Sequence, residues 1–386
     1  MEGDFIKINK RLLPLSWLYG LGVTFRNLLF DTGVLKSRSF DVPVISVGNI
    51  TVGGSGKTPH VEYLIRLLKD EVKVAVLSRG YKRKTRGYRV ADAQTTMPQI
   101  GDEPYQMHRK FRDIFVAVDA NRCHGIDMLT TQPETRNTQV VLLDDAYQHR
   151  YVKPGMNILL VDYHRMIVHD KLLPAGRLRE PQEGKNRADI VIITKCPADL
   201  KPMEFRVLQR AIDLQPWQKL FFTQIVHDPL RPLFKEAPKL NEDMKWPNVL
   251  LLTGIASPEQ MIKDMEGKCE SIMPMHFPDH HQFTKSDAEA INMQFKMMKK
   301  PAIIITTEKD GTRLEHLDTL SPAVRKALYV QPIRVDFIQD EDKKFNETIL
   351  DYVRKNTRNS SMAEGKNAPA AATGNNPGNR TRSVSF

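Results

Sequence analysis

Cysteine is scarce: three residues, Cys123, Cys196 and Cys269, lie far apart and are odd in number. No CxxC pair or zinc-ligand spacing occurs, which excludes a disulfide scaffold and points to a reducing compartment. Uninterrupted apolar runs of spanning length are missing too. The most apolar stretch, residues 11–30, is broken by Arg11, Arg26 and Asn27 and falls short of an uncharged transmembrane segment. The acidic start Met1-Glu2-Gly3-Asp4 is not expected to be a secretory signal. Acid is in deficit, 46 Asp+Glu against 57 Lys+Arg, and the net charge of +11 favours phosphates, anionic lipid surfaces or nucleic acid as partners. No internal repeat is found.

What is present is globular in kind, with 386 residues, 41% hydrophobic and 27% charged. Apolar, β-rich runs recur between helical patterns: Val42–Val47, Val72–Leu77, Ile114–Val118, Val140–Leu143, Ile158–Val161, Ile190–Ile193, Leu220–Val226, Val249–Leu252, Ile303–Thr306 and Ala327–Val330. Continuous rather than alternating apolar strands with helices between them predict an α/β fold with a mostly parallel sheet covered on both faces. Pro229, Pro232 and Pro238 break periodicity near 227–247, so a second α/β unit is expected beyond them. The expected divisions are 1–34 (N-terminal helix), 35–230 (core), 231–355 (smaller lobe) and 356–386. The last segment turns to Asn, Ser, Gly, Ala and Pro and is expected to be a disordered tail.

Gly48-Asn49-Ile50-Thr51-Val52-Gly53-Gly54-Ser55-Gly56-Lys57-Thr58-Pro59 follows a predicted strand and precedes a helical pattern, His60–Leu68. Strand, Gly-rich turn, Lys-Thr and helix together make a phosphate cradle. Its backbone N–H groups converge on phosphate oxygens, Lys57 reaches the β/γ-phosphates and the Thr58 hydroxyl suits Mg²⁺. Thr51 stands where the general pattern has Gly.

Val140–Leu143 ends in Asp144-Asp145, and a carboxylate at a strand end beside such a loop is what Mg²⁺ needs. Asp102-Glu103 precedes a helix and reads either as an N-cap or as a base with a metal ligand. His276, His280 and His281 lie close together beside Asp279, but Pro278 argues against a helical zinc site, leaving a histidine that pairs with a carboxylate. Arg79–Arg89 holds six cations and no acid, and is either a solvated loop or a phosphate-facing one. The Arg177/Arg179/Glu180 loop offers guanidinium forks for phosphate oxygens, or is simply exposed. Residues 11–30 suit either a helix packed on the core or one lying in a membrane interface, with Trp17 and Tyr19 at headgroup level and Arg26 toward phosphate. Ile193-Thr194-Lys195 and Thr306-Thr307-Glu308-Lys309-Asp310 weakly suggest base recognition; a plain polar strand end is the simpler reading of both.

These pieces, in this order, resemble the tetraacyldisaccharide 4′-kinases: the 48–59 loop; Leu77–Lys84; Gly101-Asp102-Glu103-Pro104; Asp144-Asp145-Ala146-Tyr147-Gln148-His149-Arg150; Leu173–Pro181; Phe277–His280; Thr306–Asp310. The resemblance spans residues 10–350, and Thr51 is part of it. Ala146 stands where the family has Gly, which is tolerable if its φ is negative, and the tail has no counterpart. It implies transfer of the ATP γ-phosphate to the 4′-hydroxyl of a lipid A disaccharide 1-phosphate precursor. It further implies ATP held by Thr51, Val52, Gly53, Gly54, Ser55, Gly56, Lys57 and Thr58, and Mg²⁺ held by Thr58, Glu103, Asp144 and Asp145. Asp102 becomes the base, supported by His280 rather than His281, with Lys57 as the catalytic cation. Arg79, Tyr81, Gln148, His149, Arg177, Arg179 and Glu180 would line the substrate. The implied place of work is the cytoplasmic face of the inner membrane of a Gram-negative type bacterium, peripheral or monotopic, which favours the interfacial reading of residues 11–30.

Two other readings compete. A regulatory ATPase of the MinD/ParA kind would carry Lys where Val52 stands. A nucleic-acid module would need a reader motif and more interleaved aromatics than Tyr81 and Tyr88, so no nucleic-acid partner is expected.

Overall fold

The computed structural model describes residues 8–240, 246–255, 259–279 and 281–367. The chain begins with helix α1 (Leu13–Asp31) and then builds a large sheet from β1 (Val44–Gly48), β2 (Val74–Ser78), β3 (Arg89–Val90), β4 (Phe115–Val118), β5 (Val140–Asp144), β6 (Met156–Asp162), β7 (Ile190–Thr194) and β8 (Lys219–His227). Helices α2 (Lys57–Leu68), α3 (Met97–Ile100), α4 (Asp102–Lys110), α5 (Arg122–Thr131) and α6 (Pro202–Ile212) fall between these strands. The second sheet uses β9 (Arg231–Pro232), β10 (Trp246–Thr253), β11 (Cys269–His276), β12 (Ala302–Thr307) and β13 (Leu328–Gln331), with α7 (Glu259–Met265), α8 (Lys285–Met297), α9 (Glu308–Leu314) and α10 (Pro322–Arg325). Strand β14 (Ile333–Phe337) and helix α11 (Asp342–Asn367) end the described chain.

The first sheet has nine strands in the order β14-β8-β7-β6-β1-β5-β2-β4-β3, parallel from β8 to β4, with β14 and β3 antiparallel at the edges. Its central strands are buried along their whole length because helices cover both faces. On one face Val61, Leu64 and Ile65 of α2 and Phe345, Ile349 and Val353 of α11 pack on Ile45, Val76 and Ile158. On the other, Ile126 and Leu129 of α5 meet Leu77, Val141 and Leu143. The second sheet, β11-β10-β12-β13-β9, is sandwiched the same way. Leu250 and Leu252 face α8, while Val249 and Leu251 face α7.

Two expected boundaries need correction. Residues 231–355 do not form one lobe, because β14 pairs with β8 and α11 packs on the first sheet. The second lobe is an insertion between β8 and β14. Its two crossings run side by side, joined by Asp228 N–H to Pro332 O (3.0 Å) and Gln331 Nε2 to Asp228 O (2.6 Å). The expected boundary at 356 also falls inside α11, which continues to Asn367; the remainder of the expected tail lies outside the described residues.

Helix α1 is not long and apolar enough to cross a membrane, nor is any other described helix. Its small residues face inward: Ser16 Oγ accepts from Ala175 N–H at 2.8 Å, and a Cβ on Gly20 would meet Leu172 Cδ1 at 2.7 Å. Leu15, Trp17, Leu18, Leu21, Phe25 and Leu28 face out, Trp17 73% exposed. Tyr19 and Arg26, expected at headgroups, instead donate inward to Arg179 O (2.8 Å) and Gln148 O (3.0 Å). A helix that puts Leu and Trp outward needs its polar atoms to satisfy the protein beneath.

Candidate active site

Because the strands of the first sheet run parallel, their carboxyl ends share one edge, where ligands bind in open α/β sheets. The Gly-rich loop leaves β1 there and enters α2 through Gly56 (φ +79°), a left-handed N-cap that a side chain would strain. The loop is fixed from within and below. Asn49 Nδ2 donates to Ser55 Oγ (2.8 Å) and Thr51 Oγ1 (3.3 Å), and Thr194 Oγ1 on β7 donates to Ser55 O at 3.1 Å. Thr51 therefore has a job that Gly could not do: its hydroxyl accepts a bond that closes the turn.

Above the loop lies the 172–181 segment. Val52 N–H donates to Arg177 O (2.8 Å) and Arg179 N–H to Ile50 O (2.7 Å), a short ladder that lays both predicted arginines against the phosphate loop. Buried Glu180 ties this strap to its surroundings, meeting Arg187 at 2.9 Å and Gln148 Nε2 at 3.1 Å, while Gln148 also donates to Asn49 O. Glu180 and Gln148 thus brace the loop.

The carboxylates converge on the same edge. Lys57 Nζ is 3.6 Å from Asp145 Oδ1, and Arg179 Nη1 is 3.4 Å from Asp145 Oδ2. Asp145 takes a left-handed φ of +48°, whereas Ala146 does not, so the missing glycine leaves no strain. Asp144 is buried, accepts from Ser78 Oγ at 3.2 Å, and has its carboxyl pushed up to about 7 by burial first, then by Asp145 and Glu103. A buried carboxylate whose one side-chain bond among the described residues comes from the Ser78 hydroxyl, beside a phosphate loop, fits a divalent cation. Among the described residues no group of three or more His, Cys, Asp and Glu is placed to hold a metal ion by itself. Mg²⁺ does not require one, since it keeps waters and substrate phosphates as ligands.

Asp102 opens α4, buried, and pairs with Arg313 of α9. Glu103 faces Lys309 at 3.6 Å, and Lys309 faces Asp279 at 3.2 Å, so Lys309 of the second lobe links the Phe277–Asp279 turn to the first. His280 lies outside the described residues. His281 is engaged elsewhere, with Nε2 2.9 Å from Asp287 Oδ2 and its ring stacked on Phe277. His276 pairs with Thr253 Oγ1 at 3.0 Å.

The basic run after β2 divides. Arg83 folds back to donate to Gly87 O (2.7 Å) and holds its own loop, while Tyr81 stays exposed. Arg79 lies near Arg122 and His149, whose protonation its charge opposes. His149 is pushed down to about 4, by burial and then by Arg122, Arg26 and Arg79, and its buried Nε2 has no partner among the described residues. Arg122 was not anticipated from sequence. It is buried at the start of α5, bonded to Asp119 O and Ala120 O, and pushed down to about 10 chiefly by burial, with Asp144 and Asp145 opposing. The available signal was a lone Arg after the Asn121 cap at a strand's carboxyl end.

The family model for tetraacyldisaccharide-1-P 4′-kinases matches residues 8–354. The chain is 55% identical to a tetraacyldisaccharide 4′-kinase of Phocaeicola vulgatus, covering 94% of this chain and 100% of that one. It is 50% identical to the enzyme of that name from Bacteroides thetaiotaomicron, over 95% and 99% of the two chains. Among solved structures, one described as the "apo" form of LpxK from Aquifex aeolicus in complex with ATP superposes with a TM-score of 0.68 at 30% identity, covering 89% of this chain and 98% of that one.

Proposed function

Since the chain belongs to the tetraacyldisaccharide-1-P 4′-kinase family, we propose that it moves the γ-phosphate of ATP to the 4′-hydroxyl of a lipid A disaccharide 1-phosphate precursor. The regulatory-ATPase alternative is not favoured by that membership. The observation that carries the reading is the meeting of Lys57, Asp144, Asp145 and Glu103 at one sheet edge, with Asp144 buried and bonded by the Ser78 hydroxyl rather than by a cation.

Lys57 and the 51–58 backbone hold the ATP phosphates. Thr58, Asp144, Asp145 and Glu103 supply oxygen ligands for Mg²⁺, which when bound neutralises charge on the β- and γ-phosphates. The sugar oxygen forms the new bond to phosphorus as the β,γ-bridging bond breaks; ADP leaves, and Asp102, supported by His280, accepts the hydroxyl proton. Arg79, Tyr81, His149, Arg177 and Arg179 recognise the disaccharide and its phosphate, and Arg122 belongs with them by position. The neutral His149 imidazole is free to exchange a hydrogen bond with a sugar hydroxyl rather than carry charge. The outward apolar face of α1, beside the strap, rests in the anionic cytoplasmic leaflet of the inner membrane and brings the site to an acylated substrate.

Transfer of labelled γ-phosphate from ATP to the detergent-dispersed disaccharide precursor tests the reading. Lys57→Ala and Asp102→Ala are each expected to cut transfer by at least ~10²-fold. Near-normal transfer by Asp102→Ala sinks the base assignment, and no lipid product from the unaltered enzyme sinks the function.

A further inference from the structure

Helix α4, which carries Asp102, is fastened along its length to α9 of the second lobe and to the two residues that follow it. Glu103 faces Lys309 (3.6 Å), Arg109 faces Glu315 (2.7 Å), Lys110 faces Glu308 (2.8 Å), and Tyr105 Oη lies 3.1 Å from His316 Nε2. The contact at Asp102 differs from these in burial. Arg313 Nη2 donates to Asp102 Oδ2 while Nη1 donates to Asp310 Oδ1 at 3.0 Å, and the Arg313 and Asp310 side chains are 1% and 0% exposed.

Asp310 is anchored in turn. Its Oδ2 accepts from Gly254 N–H (2.8 Å) and Thr307 Oγ1 (2.8 Å). Gly254 leaves no room for a side chain: a Cβ would sit 2.9 Å from Asp310 Oδ1 and 3.3 Å from Pro278 O. The end of β10, the first turn of α9 and the Phe277–Asp279 turn therefore close around Asp310. It holds one arm of the Arg313 guanidinium, and the other arm reaches across to the first lobe.

We infer that Arg313 is the positioning residue for Asp102, orienting the base's carboxylate through a fork that Asp310 holds rigid. The inference rests on Asp102 being the base. Docking of the lobes does not call for this triad. The more exposed Arg109–Glu315 and Lys110–Glu308 pairs already join α4 to α9, and burying an ion triad incurs a desolvation cost that docking alone does not recover. What the triad adds is a fixed rotation of one carboxylate. A planar guanidinium can hold two carboxylates in one geometry, whereas a lysine ammonium is a point charge on a flexible stem. The second lobe thereby completes the base from outside the core that binds phosphate, so nucleotide binding is separable from proton transfer.

The test uses the full-length chain in the labelled-phosphate assay. Arg313→Met is expected to lower kcat by ~10²-fold, the cost of a misplaced catalytic group, with KM for ATP within about threefold. Arg313→Lys restores part of that loss. Arg109→Gln, at the same helix interface but away from the base, stays within about twofold. In Asp102→Asn, adding Arg313→Met lowers the rate no further, because the two act as one unit. Nucleotide affinity measured with a fluorescent ATP analogue identifies a folded phosphate site. If Arg313→Met does not fold, Arg313→Lys carries the test, and full activity in it overturns the inference. Wild-type kcat in Arg313→Met beside an inactive Asp102→Asn refutes the positioning role alone. Activity in Asp102→Asn refutes the base reading instead. An Arg109→Gln loss as deep as that of Arg313→Met reduces Arg313 to a docking contact and overturns the inference.

Discussion

His60 lies one turn into α2, beneath the phosphate loop, with both ring nitrogens engaged: Nδ1 is 2.7 Å from Gly56 O and Nε2 is 3.1 Å from Thr223 Oγ1. A carbonyl only accepts, so Nδ1 carries the proton and Nε2 takes the threonine hydroxyl, which leaves the ring neutral. Burial pushes this histidine down from 6.5 to about 4. The unfolded chain therefore holds the extra proton between those values, and stability falls as pH drops through that window. At about 1.4 kcal/mol per pH unit the loss reaches about 3 kcal/mol. Urea unfolding at pH 7 and pH 4.5 is expected to show a smaller difference in His60→Gln than in the unaltered chain; equal differences would assign the slope elsewhere, His149 being the next candidate. His60 also shows which residues were legible in advance. Lys57, Asp144 and Asp145 announce themselves through contiguous motifs whose chemistry is local. Arg122, Arg313 and His60 act through partners such as Asp144, Asp102 and Thr223, far away in the chain, so a motif reading passes over them.

Helix α1 shows the same division at the scale of an element. Its apolar content was legible, but not its orientation, because the groups that orient it are the backbone N–H of Ala175 and the backbone carbonyls of Arg179 and Gln148. Tyr19 and Arg26 spend their donors on Arg179 O and Gln148 O, which fixes Trp17, Leu18 and Leu21 outward. Deleting residues 1–30 would thus disturb the strap over the phosphate loop as well as any lipid contact, and substitution is the cleaner experiment. Leu18→Glu with Leu21→Glu is expected to weaken binding to phosphatidylglycerol vesicles at least tenfold, since each buried leucine is worth about 1.5–3 kcal/mol. Transfer to detergent-dispersed substrate should stay within about twofold, because neither side chain faces the site. Unchanged vesicle partitioning, measured by flotation, would remove α1 from the membrane contact. Strands divide along similar lines. The central strands are uniformly apolar and were readable, whereas β14 alternates Ile333, Val335 and Phe337 with Arg334 and Asp336, and β11 is an edge strand holding Glu270 and Pro274.

At the scale of the whole molecule, the chain leaves its core after β8 and returns to it at β14. The second lobe is inserted between β8 and β14, and α11 then closes the first sheet from the face that α2 also covers. Phe345 is the pivot of this closure: 2% exposed, it packs on Phe337 (4.6 Å between centroids), Phe221 (5.3 Å) and Tyr63 (5.9 Å). Tyr63 belongs to α2 and donates to Asn346 Oδ1 at 2.9 Å, so the last helix buttresses the helix whose first turn holds Lys57. The insertion is tied at both ends by this return, which keeps α9 within reach of Asp102. Phe345→Ala removes a ring from a packed aromatic cluster and is expected to destabilise the protein by about 3–5 kcal/mol. Urea unfolding followed by tryptophan fluorescence checks it, with saturating ATP recovering part of the loss because nucleotide binds only the folded loop. A change below about 1 kcal/mol would mean that α11 is an appendage, and that the core holds α2 in place without the returning chain.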